Sequence, residues 1–165
     1  MAILPPLHHD LHPGPFGTLA LTAEPDGRLV GVDFSEDAQT EPQEARQRLH
    51  RPSTFSEVHR QLEAYEQGRR KTFDLPLHLE GSAFQVAVWR ILLTIPFGAT
   101  WSYGQVAAAV GNPRAARAVG AACGANRLAL VVPCHRVIGS SGGLTGFGGG
   151  LTLKRHLLEH EARCF

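Results

Sequence analysis

The chain has 165 residues, 43% of them hydrophobic, which is enough to bury a real core as one domain or two small ones. No apolar run reaches the ~18 residues needed to span a bilayer, and the start lacks a basic region followed by an apolar one, so neither a membrane span nor a signal peptide is expected. Three cysteines at 123, 134 and 164 form no C-x-x-C pair, which argues against a disulfide framework and for the reducing cytoplasm. The net charge of +1 conceals an asymmetry: residues 1–80 carry 8 Lys+Arg against 13 Asp+Glu, whereas residues 81–165 carry 8 against 2. From Gly81 to Leu158 there is no carboxylate at all, so that stretch would repel a polyanion nowhere along its length.

The compositional shift predicts two domains, 1–80 and 81–165. In the first, "FGTLALTAEPDGRLVGVDFS" alternates apolar and polar residues on both sides of Asp26-Gly27, a hairpin signal. His8, His9 and His12 precede it without a cysteine or carboxylate cluster apart from Asp10, and read as a floppy polar terminus rather than a metal site. A charged linker, "EDAQTEPQEARQRLHRP", follows. Val58, Leu62 and Tyr65 then repeat at helical spacing in a segment that ends at Gly68, and "FDLPLHLEG" reads as a short strand broken by Pro76. This half is expected to be a small α/β unit, a sheet plus a helix, with no chemistry of its own.

The second half reads as mostly helical, giving an α+β chain overall. "SAFQVAVWRILLTI" places Phe84, Val88, Ile91, Leu92 and Ile95 on one face, with Ser82 as N-cap and Pro96 and Gly98 as the stop. Ser102 and Gln105 fit an S-x-x-Q capping box for a helix running to about Val110 and ending at Gly111. Asn112-Pro113 then reads as an N-cap followed by proline at the first helical position. Two helices of this size joined by a glycine-containing turn match a helix-turn-helix. In the second helix Arg114 and Arg117 stand among small residues such as Ala115 and Ala116, which would let the helix approach a nucleic-acid groove closely. The same pattern also suits an alanine-rich packing helix with two solvated arginines.

The chemistry concentrates in "LALVVPCHRVIG". The apolar run predicts a short strand that Pro133 terminates, after which the chain can turn so that Cys134 and His135 converge. A neighbouring histidine or helix N-terminus would lower the thiol pKa from its usual ~8.5. A cysteine in such a place also serves as a small core residue. The segment 139–150, "GSSGGLTGFGGG", has seven glycines and would let a ligand approach the backbone, but it completes no phosphate-binding motif. In the C-terminal helix Leu151, Leu157 and Leu158 read as inward, with Glu161 on the face of Leu157 and Leu158, placed to orient His135. "HLLEH" at residues 156–160 matches a zinc-protease pattern, but too little chain follows to supply the third ligand.

Together, "SYGQVAAAVGNPRAARAVG", Asn126, "VPCHRVIG", "LTGFGGGL" and "LLEHE" resemble the O6-alkylguanine-DNA alkyltransferase family, without a gap from about Phe84 to Glu161. The resemblance implies that Cys134 accepts the alkyl group, that His135 is its base through a bound water, and that Glu161 orients the histidine. Asn126 would brace the active-site turn, and Tyr103 would disturb the target phosphate and donate to guanine N3. Arg117 would fill the gap left by a flipped base, with Arg114, Ala115 and Ala116 beside it at the DNA. The backbone at Cys134, Val137 and Gly148 would hold the guanine, with Lys154 at the rim of the pocket. The implied partner is double-stranded DNA carrying O6-alkylguanine, bound through the minor groove by a monomer and compatible with cooperative binding. No cofactor is implied, and no metal, because the family's zinc site uses cysteines that this chain lacks. Two other classes share parts of the pattern: a non-catalytic sensor of alkylated DNA, and a cysteine hydrolase using Cys134, His135 and Asn126.

Overall fold

A computed structural model describes residues 4–34, 47–147 and 149–165. Most of the charged linker, and Gly148, lie outside the described residues. The chain divides into two compact units, Met1–His78 and Leu79–Phe165.

The first unit is built on a four-stranded sheet whose strands, in spatial order, are Leu29–Asp33 (β3), Gly17–Ala23 (β2), Leu7–Gly14 (β1) and Arg48–His50 (β4). Strand β1 (Leu7–Gly14) pairs antiparallel with β2 (Gly17–Ala23), which pairs antiparallel with β3 (Leu29–Asp33). The β2–β3 turn falls where Asp26-Gly27 predicts it: Gly27 has φ +92° and its N–H donates to the Glu24 carbonyl at 2.9 Å. Only glycine adopts that φ without strain. Leu19, Leu21 and Ala23 of β2 are buried at the two-residue period of one sheet face. Helix α1 (Ser56–Glu66) contributes Val58, Leu62 and Tyr65 to the core at helical spacing, and Gly68 with φ +72° follows its end. "FDLPLHLEG" forms only an isolated bridge between Leu77 and Leu29.

Two expectations fail in this unit. The histidine-rich start is not floppy but forms β1. His8 Nδ1 meets Thr54 Oγ1 at 2.7 Å, His12 Nδ1 meets His59 Nδ1 at 2.8 Å, and His12 Nε2 meets Glu66 at 3.0 Å. Strand pairing fixes the backbone, and partners more than forty residues away occupy the imidazoles. The end of the charged linker likewise forms β4 (Arg48–His50), parallel to β1.

The second unit is mostly helical. Helix α2 (Ala83–Leu92) starts at a Ser82–Gln85 capping box, and α3 (Tyr103–Ala109) at the Ser102–Gln105 box. In each, serine accepts from the N3 backbone N–H while glutamine accepts from the cap N–H, satisfying two donors that a helix start leaves free. Helix α4 is Ala116–Gly124, not a helix opening at Asn112. Residues 112–115 instead form a turn in which Ala115 N–H donates to the Asn112 carbonyl at 3.0 Å. Asn112 therefore supplies its backbone rather than a side-chain cap. Trp89 Nε1–H donates to the Ala122 carbonyl at 2.8 Å, joining α2 to α4.

The predicted strand at residues 128–132 is absent, and the segment is a tight turn in which Leu130 has φ +71°. This left-handed conformation costs a non-glycine residue ~1–2 kcal/mol. Burial of Leu130, 1% exposed, offsets that cost. The chain then makes a 3-10 turn at Cys134–Arg136 and enters β6 (Val137–Ile138), which pairs parallel with β5 (Trp101–Ser102). Helix α5 (Leu151–Arg163) completes the unit, burying Leu157; Leu151, at its first turn, is exposed rather than inward. No helix among the described residues is long and apolar enough to cross a membrane.

Candidate active site

Asn126, just beyond α4, holds the turn that carries the cysteine. Its Oδ1 accepts from Leu128 N–H at 2.9 Å, and its Nδ2 donates to the Val132 carbonyl at 2.9 Å and to Cys134 Sγ at 3.3 Å. One side chain thus closes the turn and touches the thiol.

Cys134 is 8% exposed. Burial pushes its thiol pKa up, against the lowering expected from its histidine neighbour; the Asn126 bond, Lys154 and the backbone N–H groups of Cys134 and His135 oppose that rise only in part. At rest the group is a protected thiol, and it needs a base.

His135 is fully buried, and its Nε2 lies 2.7 Å from Glu161 Oε1. Burial lowers its pKa, opposed by the carboxylate. The ring is therefore neutral at neutral pH, with Nε2 donating to Glu161 and Nδ1 carrying the lone pair. That Nδ1 is buried with no hydrogen-bond partner among the described residues.

Glu161 accepts from several donors at once. Arg136 Nε and Nη2 each approach it at 2.9 Å, and Gly98 N–H donates at 3.3 Å. Arg136 Nη1 also donates to the Ile95 carbonyl at 2.7 Å. Burial alone would raise the Glu161 pKa, but the bonds from His135 and Arg136 outweigh it and hold the carboxyl well below the usual range. Arg136 was missed in the sequence. The 3-10 turn swings it onto Glu161, and its only local signal is adjacency to Cys134-His135.

Lys154 is not at a rim but fully buried, donating through Nζ to the Val137 carbonyl at 2.6 Å and the Thr145 carbonyl at 2.9 Å. Val137 is buried in β6. Tyr103, at the first turn of α3, exchanges hydrogen bonds with Thr145, and its ring lies 3.9 Å from where a Cβ on Gly120 of α4 would stand. Arg117 is exposed in the first turn of α4. Arg114 is exposed in the preceding turn, and Ala115 and Ala116 between them are half-buried. Burial, and then the nearby Cys134, push the Cys123 thiol up to about 12, which leaves it inert at neutral pH.

A buried thiol, a buried histidine bonded to a carboxylate, and that carboxylate clamped by arginine thus lie within the Cys134–Arg136 turn and the helix packed on it. Two family descriptions match in tandem: 6-O-methylguanine DNA methyltransferase, ribonuclease-like domain, over residues 7–79, and 6-O-methylguanine DNA methyltransferase, DNA binding domain, over residues 83–163. The chain belongs to the 6-O-methylguanine DNA methyltransferase family. It is 56% identical over 110 residues, 67% of each chain, to the methylated-DNA–protein-cysteine methyltransferase of Mycobacterium bovis. It is 40% identical over 165 residues to that of Methanosarcina acetivorans, covering 96% of this chain and all of the other. Among solved structures, Mycobacterium tuberculosis O6-methylguanine methyltransferase superposes with a TM-score of 0.87 at 44% identity, covering 96% of this chain and 94% of that one.

Proposed function

We propose that the protein is a DNA repair methyltransferase that takes the alkyl group of O6-alkylguanine onto Cys134 once and irreversibly. The observation that carries this reading is a buried Cys134 bonded by Asn126 and followed in the same turn by a buried His135 whose Nε2 meets a Glu161 clamped by Arg136.

The alkyl carbon on guanine O6 lies inside the duplex, so the base must be extruded at a cost of a few kcal/mol. Arg117, exposed on α4 among small residues, would fill the gap from the minor-groove side, while Arg114 in the preceding turn meets phosphate. His135 Nδ1 takes the thiol proton through an intervening water, and Glu161 stabilises the imidazolium through Nε2–H. The sulfur then attacks the saturated carbon. The S–C bond forms, the C–O6 bond breaks, and its electron pair passes into the guanine ring, where a hydrogen bond from Tyr103 to N3 relieves the charge. The thioether has no carbonyl for water to attack, so each molecule acts once. The backbone at Cys134, Val137 and Gly148 is assigned to hold the guanine. The protein acts as a cytoplasmic monomer on double-stranded DNA.

Mass spectrometry after incubation with O6-methylguanine duplex should show one methyl replacing one hydrogen on the Cys134 peptide, at no more than one per protein. Cys134→Ser should bind the duplex and transfer nothing. Tight binding by the intact protein without transfer would replace this reading with that of a damage sensor. Repeated turnover on an ester or peptide would indicate a hydrolase.

A further inference from the structure

The glycine-rich segment is not merely permissive, because one of its residues bonds to a proposed catalytic side chain through both its hydroxyl and its carbonyl. Thr145 Oγ1 donates to the Tyr103 phenolic oxygen at 2.9 Å. In return, the Tyr103 hydroxyl donates to the Thr145 carbonyl at 3.3 Å. That carbonyl also accepts from Lys154 Nζ at 2.9 Å, and the same ammonium lies 6.0 Å from the Tyr103 ring centroid.

The two bonds of the exchange are unequal. The bond that Tyr103 receives has good length, while the bond it gives is long and competes with an ammonium for one carbonyl. A better acceptor entering the site would take the Tyr103 proton from the 3.3 Å bond and leave the 2.9 Å bond intact. Charge would then build on the phenolic oxygen as its proton is shared with the incoming acceptor. The Thr145 hydroxyl is already in place to stabilise it.

We propose that Thr145 is a positioning residue for alkyl transfer: its hydroxyl aims and polarises Tyr103, and its carbonyl parks the Tyr103 proton until guanine N3 arrives. This rests on the reading of Tyr103 as the donor to N3. The Thr145 hydroxyl bond lowers the Tyr103 pKa against the larger rise caused by burial, in the same direction as the geometry. No proton is consumed in this exchange. Tyr103 shares its proton with N3 as the C–O6 electrons enter the ring, and the proton released by the Cys134 thiol balances the guanine product.

The test is a double-mutant cycle on the single-turnover transfer rate with O6-methylguanine duplex. Thr145→Val keeps the shape and loses the donor, and should slow transfer about tenfold. Thr145→Ser keeps the donor and should stay within about threefold of the parent rate. Combined with Tyr103→Phe, Thr145→Val should cost nothing further, because the oxygen it acts upon is gone. Duplex affinity, measured in the Cys134→Ser background, should be the same with Thr145 or valine. An equal loss in both backgrounds would make Thr145 a plain loop tether and overturn the proposal, as would an unchanged Thr145→Val rate beside a slow Tyr103→Phe. A full-rate Tyr103→Phe would overturn the donor role of Tyr103, and this proposal with it.

Discussion

Glu161 is the residue on which the site turns, because its carboxylate answers to His135, Arg136 and Gly98 at once. Its alignment with Leu157 was legible from helical spacing, whereas Arg136 was not, since only the turn after Pro133 brings that side chain inward. Glu161→Gln should slow transfer by roughly 10²-fold through loss of the tautomer lock. It should also destabilise the fold by about 3–5 kcal/mol, because Arg136 is left buried without its counter-charge. Single-turnover kinetics and urea unfolding measure the two losses separately. The pH dependence follows from the direction of the Glu161 shift. The native carboxyl titrates below its unfolded value of about 4.3, so its contribution is fully present above that pH. The contribution fades as pH falls below about 4 toward the depressed native value. The stability gap between the parent and Glu161→Gln should therefore be constant from pH 7 to about 5 and shrink in more acid buffer.

Among the elements, capped helices were the most legible. The boxes at Ser82 and Ser102 depend on residues three apart, so local sequence specifies them completely. The 128–132 turn was illegible for the opposite reason. Its apolar run suits a buried strand equally well, and what bends it is Asn126, reaching forward to Val132 and Cys134. The start of β1 was misread because it is held by hairpin pairing with β2 and, from more than thirty residues away, by β4 and the side chains of His59 and Glu66. Asn126→Ala removes three hydrogen bonds and should destabilise the chain by about 2–4 kcal/mol while slowing transfer. A lower urea midpoint with an unchanged slope would report it. Arg114→Ala, in the exposed turn before α4, should leave stability within about 0.5 kcal/mol of the parent. It should also lower the slope of log affinity against log salt by about one, as measured by DNA titration.

At the scale of the molecule, the division in charge falls close to the division in structure. Unit Leu79–Phe165 carries the site, and both family descriptions respect a break near residue 80. That broad division was visible in composition, because removing carboxylates from a whole segment leaves a mark no single contact can blur. The close packing around Cys134 also predicts what alkylation of that thiol, as proposed, does to the fold. A methyl added to a thiol 8% exposed overfills its surroundings, which costs about 1–3 kcal/mol. The methylated protein should melt several degrees (about 4–8 °C per kcal/mol for a domain of this size) below the free thiol form in a calorimetric scan.

The pairing of Arg136 with Glu161, and the burial of Lys154, leave unit Leu79–Phe165 with six exposed arginines and only Glu80 and Glu159 as exposed side-chain carboxylates. Each phosphate neutralised contributes a slope of only about −0.9 against log salt. So few cations favour short residence on undamaged duplex at physiological ionic strength. Such a surface suits scanning of duplex by sliding and hopping.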